Sequence, residues 1–169
     1  MDNLLVSVFE PHYEVRKKVT ELIGKVAPDQ FDNAENKTLT DYEKQDQTLE
    51  YREFILPYFI DHIKRVFSLD NHLEVKPYQL WYQIYNKGDF HNWHTHHKVQ
   101  LNLIYFLKLP NSNYKTEFRK LNGEPIDYEA SEGDIILSPA CLPHKSPTME
   151  DYGEKIMIGL NFDIVFKDL

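Results

Sequence analysis

The sequence predicts a mainly β protein, a sandwich or barrel of short strands, with N-terminal helices packed as buttresses on its outer face. Three observations predict this. Helical periodicity is confined to the first part of the chain, residues 1–74. From Val75 onward, short β-rich runs are punctuated by Gly, Pro and Asn, and Gly88, Gly123, Gly133, Gly153 and Gly159 all lie in that half. Aromatic residues make up 14% of the chain, a share that favours strands and a well-filled interior.

The elements follow in order. Pro11 stands where a first helical turn tolerates it, and Val15, Val19, Leu22, Ile23 and Val26 mark one apolar face, ended by Pro28 and Asp29. A polar stretch from Asp32 to Lys37 separates this segment from a second helix, for which Thr40 or Asp41 is the expected cap. Ile55, Phe59, Ile63, Val66 and Phe67 form its face, with Pro57 expected to kink or split it. Beyond residue 74 the expected strands are Gln79–Tyr85, Val99–Leu107, Ile135–Leu137 and Ile156–Phe166. Pro110–Tyr128 is expected to form a loop or hairpin near the barrel mouth. With no repeat and no linker, the 169 residues read as one domain: 1–74 a helical buttress, 75–169 the β-barrel core.

Bulk properties narrow the function classes. A net charge of −8 argues against general affinity for nucleic-acid backbones, and Lys17, Lys18, Lys64 and Arg65 read as solvated helix faces. No run approaches the roughly 20 apolar residues of a membrane span. MDNLLVSVFEP lacks the basic flank and long apolar run of a signal peptide. The lone Cys141 forms no internal disulfide. A cytoplasmic protein is expected.

Chemistry concentrates in His91-Asn-Trp-His94-Thr-His96-His97. On an extended strand, residues two apart point the same way, so His94 and His96 can aim two imidazoles at one ion while Thr95 and His97 face away. His144, in Leu-Ser-Pro-Ala-Cys-Leu-Pro-His, is the best third donor, because a closed barrel brings distant strands together. Three protein ligands on one side leave positions open for other groups, as in non-haem iron sites. Spacing alone serves a surface histidine tract equally well.

Three blocks of sequence surround these residues. Tyr85-Asn-Lys-Gly88-Asp-Phe-His91-Asn-Trp-His94-Thr-His96 is similar to the Tyr-x-x-Gly…His-x-Asp segment of the prolyl 4-hydroxylase-like 2-oxoglutarate/Fe(II) oxygenases. Glu132-Gly-Asp-Ile-Ile-Leu-Ser-Pro139, followed by Leu142-Pro-His144, resembles that superfamily's strand and loop before the distal histidine. Gly153-Glu-Lys155-Ile-Met-Ile-Gly-Leu-Asn161-Phe matches the Gly-x-Lys or Arg strand after it. The resemblance spans residues 80–162 and includes small oxygenases with a His-x-His motif. It implies a double-stranded β-helix (a jelly-roll, cupin-like barrel), Fe(II) as metal, 2-oxoglutarate and O2 as cosubstrates, and succinate and CO2 as products of a hydroxylation.

Residue by residue, the resemblance places iron ligands at His94 and His144. His96 occupies the position of the usual carboxylate, leaving the iron site one unit more positive. Lys155 matches the residue that anchors the distal carboxylate of 2-oxoglutarate. A lysine lacks the fork of arginine and recruits a helper, for which Tyr85 is positioned. Asn161 shares the inward parity of Lys155; Asn102 is expected to reach the interior, and His91 sits where an aromatic often flanks the site. Phe106 stands where some relatives have a cosubstrate-binding tyrosine. Trp81 and Trp93 read as core or rim residues. Two rival readings use the same histidines: a cupin-like three-histidine metalloenzyme without 2-oxoglutarate, and a non-catalytic metal-binding module. The scaffold hosts many substrates, so the resemblance names no primary one.

Overall fold

The computed structural model describes residues 4–44 and 48–167. In chain order the elements are β1 (Leu5–Val8), α1 (His12–Ile23), β2 (Asp29–Asp32), β3 (Asn36–Thr40), α2 (Glu50–Val66), β4 (Leu73–Tyr85), β5 (Phe90–His94) and β6 (Leu101–Lys108). A short 3-10 turn (Ser112–Tyr114) then leads to β7 (Glu117–Arg119), β8 (Pro125–Ile126), β9 (Asp134–Pro139), β10 (His144–Ser146) and β11 (Lys155–Phe166). All strand pairings are antiparallel, in the order β1-β9-β6-β11-β4-β3-β5-β10-β7-β8, with β2 on the free side of β3. The sheet curls on itself as a double-stranded β-helix. β9, β6, β11 and β4 make one wall and β5, β10, β7 and β8 the other.

Alternation along β11 explains how this wall faces two ways. Ile156, Ile158, Leu160 and Phe162 join Leu80, Tyr82, Leu103, Tyr105, Leu107, Ile135 and Leu137 in one apolar layer. α1 and α2 cover that layer with Val15, Val19, Leu22, Ile23, Tyr51, Ile55, Phe59 and Ile63. Each fully buried aliphatic chain there contributes about 1.5–3 kcal/mol. The intervening positions, Lys155, Met157, Gly159 and Asn161, face the barrel interior. Their cross-strand partners are Tyr85, Gln83, Trp81 and Gln79 on β4, and Met157, Gly159 and Asn161 also face Phe106, Ile104 and Asn102 on β6. A second apolar cluster, including Tyr85, Ile104, Phe106, Phe118, Leu142 and Met157, fills the barrel interior beside the polar side chains.

All four expected strands are present, some longer than expected. The first part of the chain needs correction: β1, β2 and β3 lie in residues 1–74, and β4 begins at Leu73. Thr40 caps no helix; it ends β3, and its hydroxyl donates to Tyr82 O. Asp41 likewise caps nothing. Its carboxylate accepts from Tyr82 N, Tyr51 and Arg52, fixing α2 to the sheet. Residues 36–40 alternate as a half-buried strand because β3 adds to the edges of both β4 and β5. Pro57 does not divide α2, which runs without a break through it. Pro57 and Glu53 are both exposed, so the Glu53 carbonyl that loses its helical partner faces water. Residues 110–128 form the expected hairpin, but β7 joins the sheet beside β10, with Phe118 opposite His144. Lys17, Lys18, Lys64 and Arg65 are exposed on the helices as expected. Among the described residues, no helix is long and apolar enough to cross a membrane.

Candidate metal centre

Gly88, at φ +85°, turns the chain between β4 and β5, a conformation that a side chain rarely adopts. β5 then brings His94 opposite His144 on β10. The strand ends at His94, and His96 lies in the segment after it, tied by its backbone N–H to Ala140 O (2.9 Å). The donor atoms of His94, His96 and His144 all lie within 4.8 Å of one another. His97 is exposed, as expected; Thr95 instead lines a cavity, because the backbone has left strand geometry there.

Backbone carbonyls select the tautomer of two of the three rings. His94 Nδ1 meets Asn92 O at 2.8 Å, and His144 Nδ1 meets Leu142 O at 3.0 Å. A carbonyl only accepts, so both rings carry their proton on Nδ1 and present an Nε2 lone pair. His96 Nδ1 lies 3.2 Å from Asn161 Nδ2, a donor, so in this amide orientation His96 carries its proton on Nε2; turning the amide over puts Oδ1 against Nδ1–H and frees Nε2. The His96 and His144 Nε2 atoms are 3.2 Å apart. Two imidazoles at roughly 2.0–2.1 Å from a shared ion have nitrogens about 3–3.4 Å apart, so the observed spacing fits a metal between them. Burial lowers the pKa of all four clustered rings: His91 to about 3, His96 to about 4, His94 by a smaller step, and His144 well below the usual value. Neutral rings are what a metal ion needs.

His91 stacks on His94 with ring centroids 3.8 Å apart, and Gln83 Nε2 lies 3.3 Å from His91 Nδ1. The indole of Trp81 leans on His96 at 5.5 Å and lies so close over Gly159 that a Cβ there would meet it at 2.4 Å. Trp93 lies elsewhere, under Arg119 and Lys145.

Lys155 is fully buried. Its ammonium donates to Ser146 Oγ at 2.8 Å and sits 5.0 Å and 5.6 Å from the rings of Tyr85 and Phe106. No carboxylate pairs with it among the described residues. Desolvation alone pulls its pKa down to about 7. The Tyr85 hydroxyl is buried beside Ser146 and Thr38, and its pKa is raised, chiefly by burial. A tight inner cavity of about 10 Å³ is lined by Ser146, Tyr85, Thr116, Asn102 and the four histidines, with no acidic residue. Both amide atoms of Asn102 and Thr116 Oγ1 are buried there without hydrogen-bond partners, and Asn161 Oδ1 is buried and unpartnered behind His96. Such orphaned groups mark a place where a polar ligand is missing. Three imidazoles, a buried cation and these unmatched polar atoms fit a divalent metal with an anionic chelator.

The structure brings Tyr85, His91, His94, His96, Asn102 and His144 to one inner cavity, with Lys155 joined to it through Ser146 and Asn161 through His96. Asn161 differs in detail: its contact is with His96 rather than with Lys155. Ser146, Gln83, Thr38 and Thr116 were missed. Ser146 was findable, since it lies two residues beyond His144 on the same strand face.

No family model matches the sequence, and no curated protein matches it. The fold, by contrast, has many solved counterparts. A prolyl 4-hydroxylase from Pseudomonas putida superimposes with a TM-score of 0.67 at 12% identity, over 96% of this chain and 92% of that one. The viral collagen prolyl hydroxylase of Paramecium bursaria Chlorella virus-1, solved with 2-oxoglutarate, gives 0.63 at 12% identity, over 94% of each chain. A 2OG-Fe(II) oxygenase family oxidoreductase from Burkholderia pseudomallei gives 0.69 at 11% identity, over 86% and 77%. The chain has the fold of these enzymes.

Proposed function

We propose that this protein is an Fe(II)- and 2-oxoglutarate-dependent oxygenase, a hydroxylase with a three-histidine metal site. The observation that carries the reading is Lys155: a fully buried ammonium with no carboxylate partner among the described residues, hydrogen-bonded to Ser146, which lines the same inner cavity as His94, His96 and His144. An unpaired buried charge is costly, and a dicarboxylate cosubstrate supplies the missing counter-charge. The fold shared with 2-oxoglutarate oxygenases supports the same assignment. Neither rival reading gives Lys155 a partner.

His94, His96 and His144 would hold the iron, and Lys155, Ser146 and Tyr85 the distal carboxylate. Iron with 2-oxoglutarate and O2 supplies the oxidation, releasing succinate and CO2. The chain's own residues orient and insulate. Carbonyls at Asn92 and Leu142 keep the His94 and His144 protons on Nδ1, leaving Nε2 free for the metal. Met157 and Phe106 are buried beside this end and would keep bulk water from it, and the cavity of about 10 Å³ would have to widen to admit a five-carbon diacid. Asn102 and Thr116 offer their free polar atoms to it.

Iron-loaded protein is expected to turn 2-oxoglutarate into succinate, at least as slow uncoupled turnover. Lys155→Ala should abolish 2-oxoglutarate binding and leave metal uptake intact. Metal chemistry that persists in this variant without 2-oxoglutarate would favour the cupin-like rival.

A further inference from the structure

A second, larger cavity of about 230 Å³ opens beside the histidines, between β3, the segment after it, and β4 and β5. It shares His91, His94 and His96 with the inner cavity, which makes it the approach for a primary substrate. Its volume lies below the roughly 300–1,000 Å³ of drug-sized pockets, so it suits a small molecule.

Its chemistry has a sign. Phe31, Tyr42 and Trp81 supply aromatic walls, the last two packed edge to face at 5.4 Å. Glu43 is the one carboxylate among the lining residues, and no lysine or arginine lines the cavity. Glu43 is exposed and pairs with no cation among the described residues. Asn36 Oδ1 is buried in the same wall without a hydrogen-bond partner. An amide can turn either edge inward, but a carboxylate only accepts, so Glu43 sets the preference. Aromatic faces beside a free carboxylate attract a cation that donates hydrogen bonds.

We propose that this cavity takes a small substrate bearing a protonated amine, held by Glu43 and Asn36 against Trp81 and Tyr42, with the carbon to be oxidised turned toward the histidines. The proposal rests on the oxygenase reading for its consequence, but the binding it predicts does not need turnover. An anionic substrate would meet Glu43 with no compensating side chain. An apolar one would leave the buried Asn36 Oδ1 unmatched.

The test is a fluorescence titration of the iron-loaded protein, since Trp81 lines the cavity and Trp93 does not. Benzylammonium, its neutral isostere benzyl alcohol and a blocked Ala-Lys-Ala peptide are compared on wild type and Glu43→Gln. Thermal unfolding checks that the exposed substitution leaves the fold intact. The proposal predicts that benzylammonium binds at least tenfold more tightly than benzyl alcohol, and that Glu43→Gln removes the preference. Equal binding of the two probes, or a preference that survives Glu43→Gln, overturns it. Ammonium-dependent binding of the peptide alone overturns the small-molecule assignment. The 2-oxoglutarate absorption titration separates the two claims. Its failure with the amine preference intact would remove the cosubstrate reading alone, and the reverse result would remove the amine proposal alone.

Discussion

At the scale of residues, Lys155 holds a conflict between stability and function. Its pKa is about 10.5 in an unfolded chain and about 7 in the fold, a difference on the order of 5 kcal/mol against the charged form. Between these values the unfolded chain binds more protons, so this lysine makes folding stability rise with pH from about 7 to 10.5 and adds no slope below 7. Lys155→Met should therefore stabilise the cosubstrate-free protein at pH 7 by about 1–3 kcal/mol in urea unfolding, while abolishing 2-oxoglutarate binding. Destabilisation instead would mean that the Ser146 contact outweighs desolvation. The same pKa gives cosubstrate affinity a slope. Pairing with a carboxylate needs the charged amine, so affinity should fall by up to about tenfold per pH unit above 7, read by calorimetric titration. Asn161 invites a separate measurement. With its amide turned so that Oδ1 accepts from His96 Nδ1–H, Asn161 would hold the tautomer a metal needs, and Asn161→Ala should weaken metal binding about 10–100-fold. His94, His96, His144 and Lys155 were legible in the sequence through their spacing and neighbouring words. The tautomer-setting carbonyls of Asn92 and Leu142 were not, because a backbone acceptor leaves no trace in residue type.

At the scale of elements, β11 does two tasks with its two faces, and Gly159 is where they meet. A methyl group there would stand 2.4 Å from the rigid indole of Trp81, which leans on His96. Gly159→Ala should cost about 1–3 kcal/mol of stability and loosen metal binding together. An unchanged metal affinity would show that Trp81 does not support His96. In α2, Pro57 sits on the exposed face of a helix that continues through it. Pro57→Ala should raise stability by about 1–2 kcal/mol, seen as a higher unfolding midpoint, since a helical hydrogen bond is restored. The long strands β4, β6, β9 and β11 and the faces of both helices could be read from the sequence, whereas the short β5, β7, β8 and β10 were not among the expected strands. β2 and β3 could not, because Asp, Gln, Asn and Lys dominate them and only their pairing partners make them strands. The alternating Thr38 and Thr40 were the available signal.

At the scale of the molecule, the curled sheet places β5 and β10 side by side, so that imidazoles some 50 positions apart in sequence come within reach of one another. A fold of this kind was legible as a class from strand-rich text after helical text. The part β3 plays in it was not, since β3 joins β4 and β5 from a stretch that reads as polar. The central claim is that a three-histidine site and a buried lysine together bind iron and 2-oxoglutarate. Anaerobic addition of Fe(II) and then 2-oxoglutarate, followed by visible absorption, tests it most directly. The account predicts a saturable charge-transfer band that requires both additions and is lost in His144→Ala and in Lys155→Ala. Tight iron binding with no band at saturating 2-oxoglutarate would contradict it.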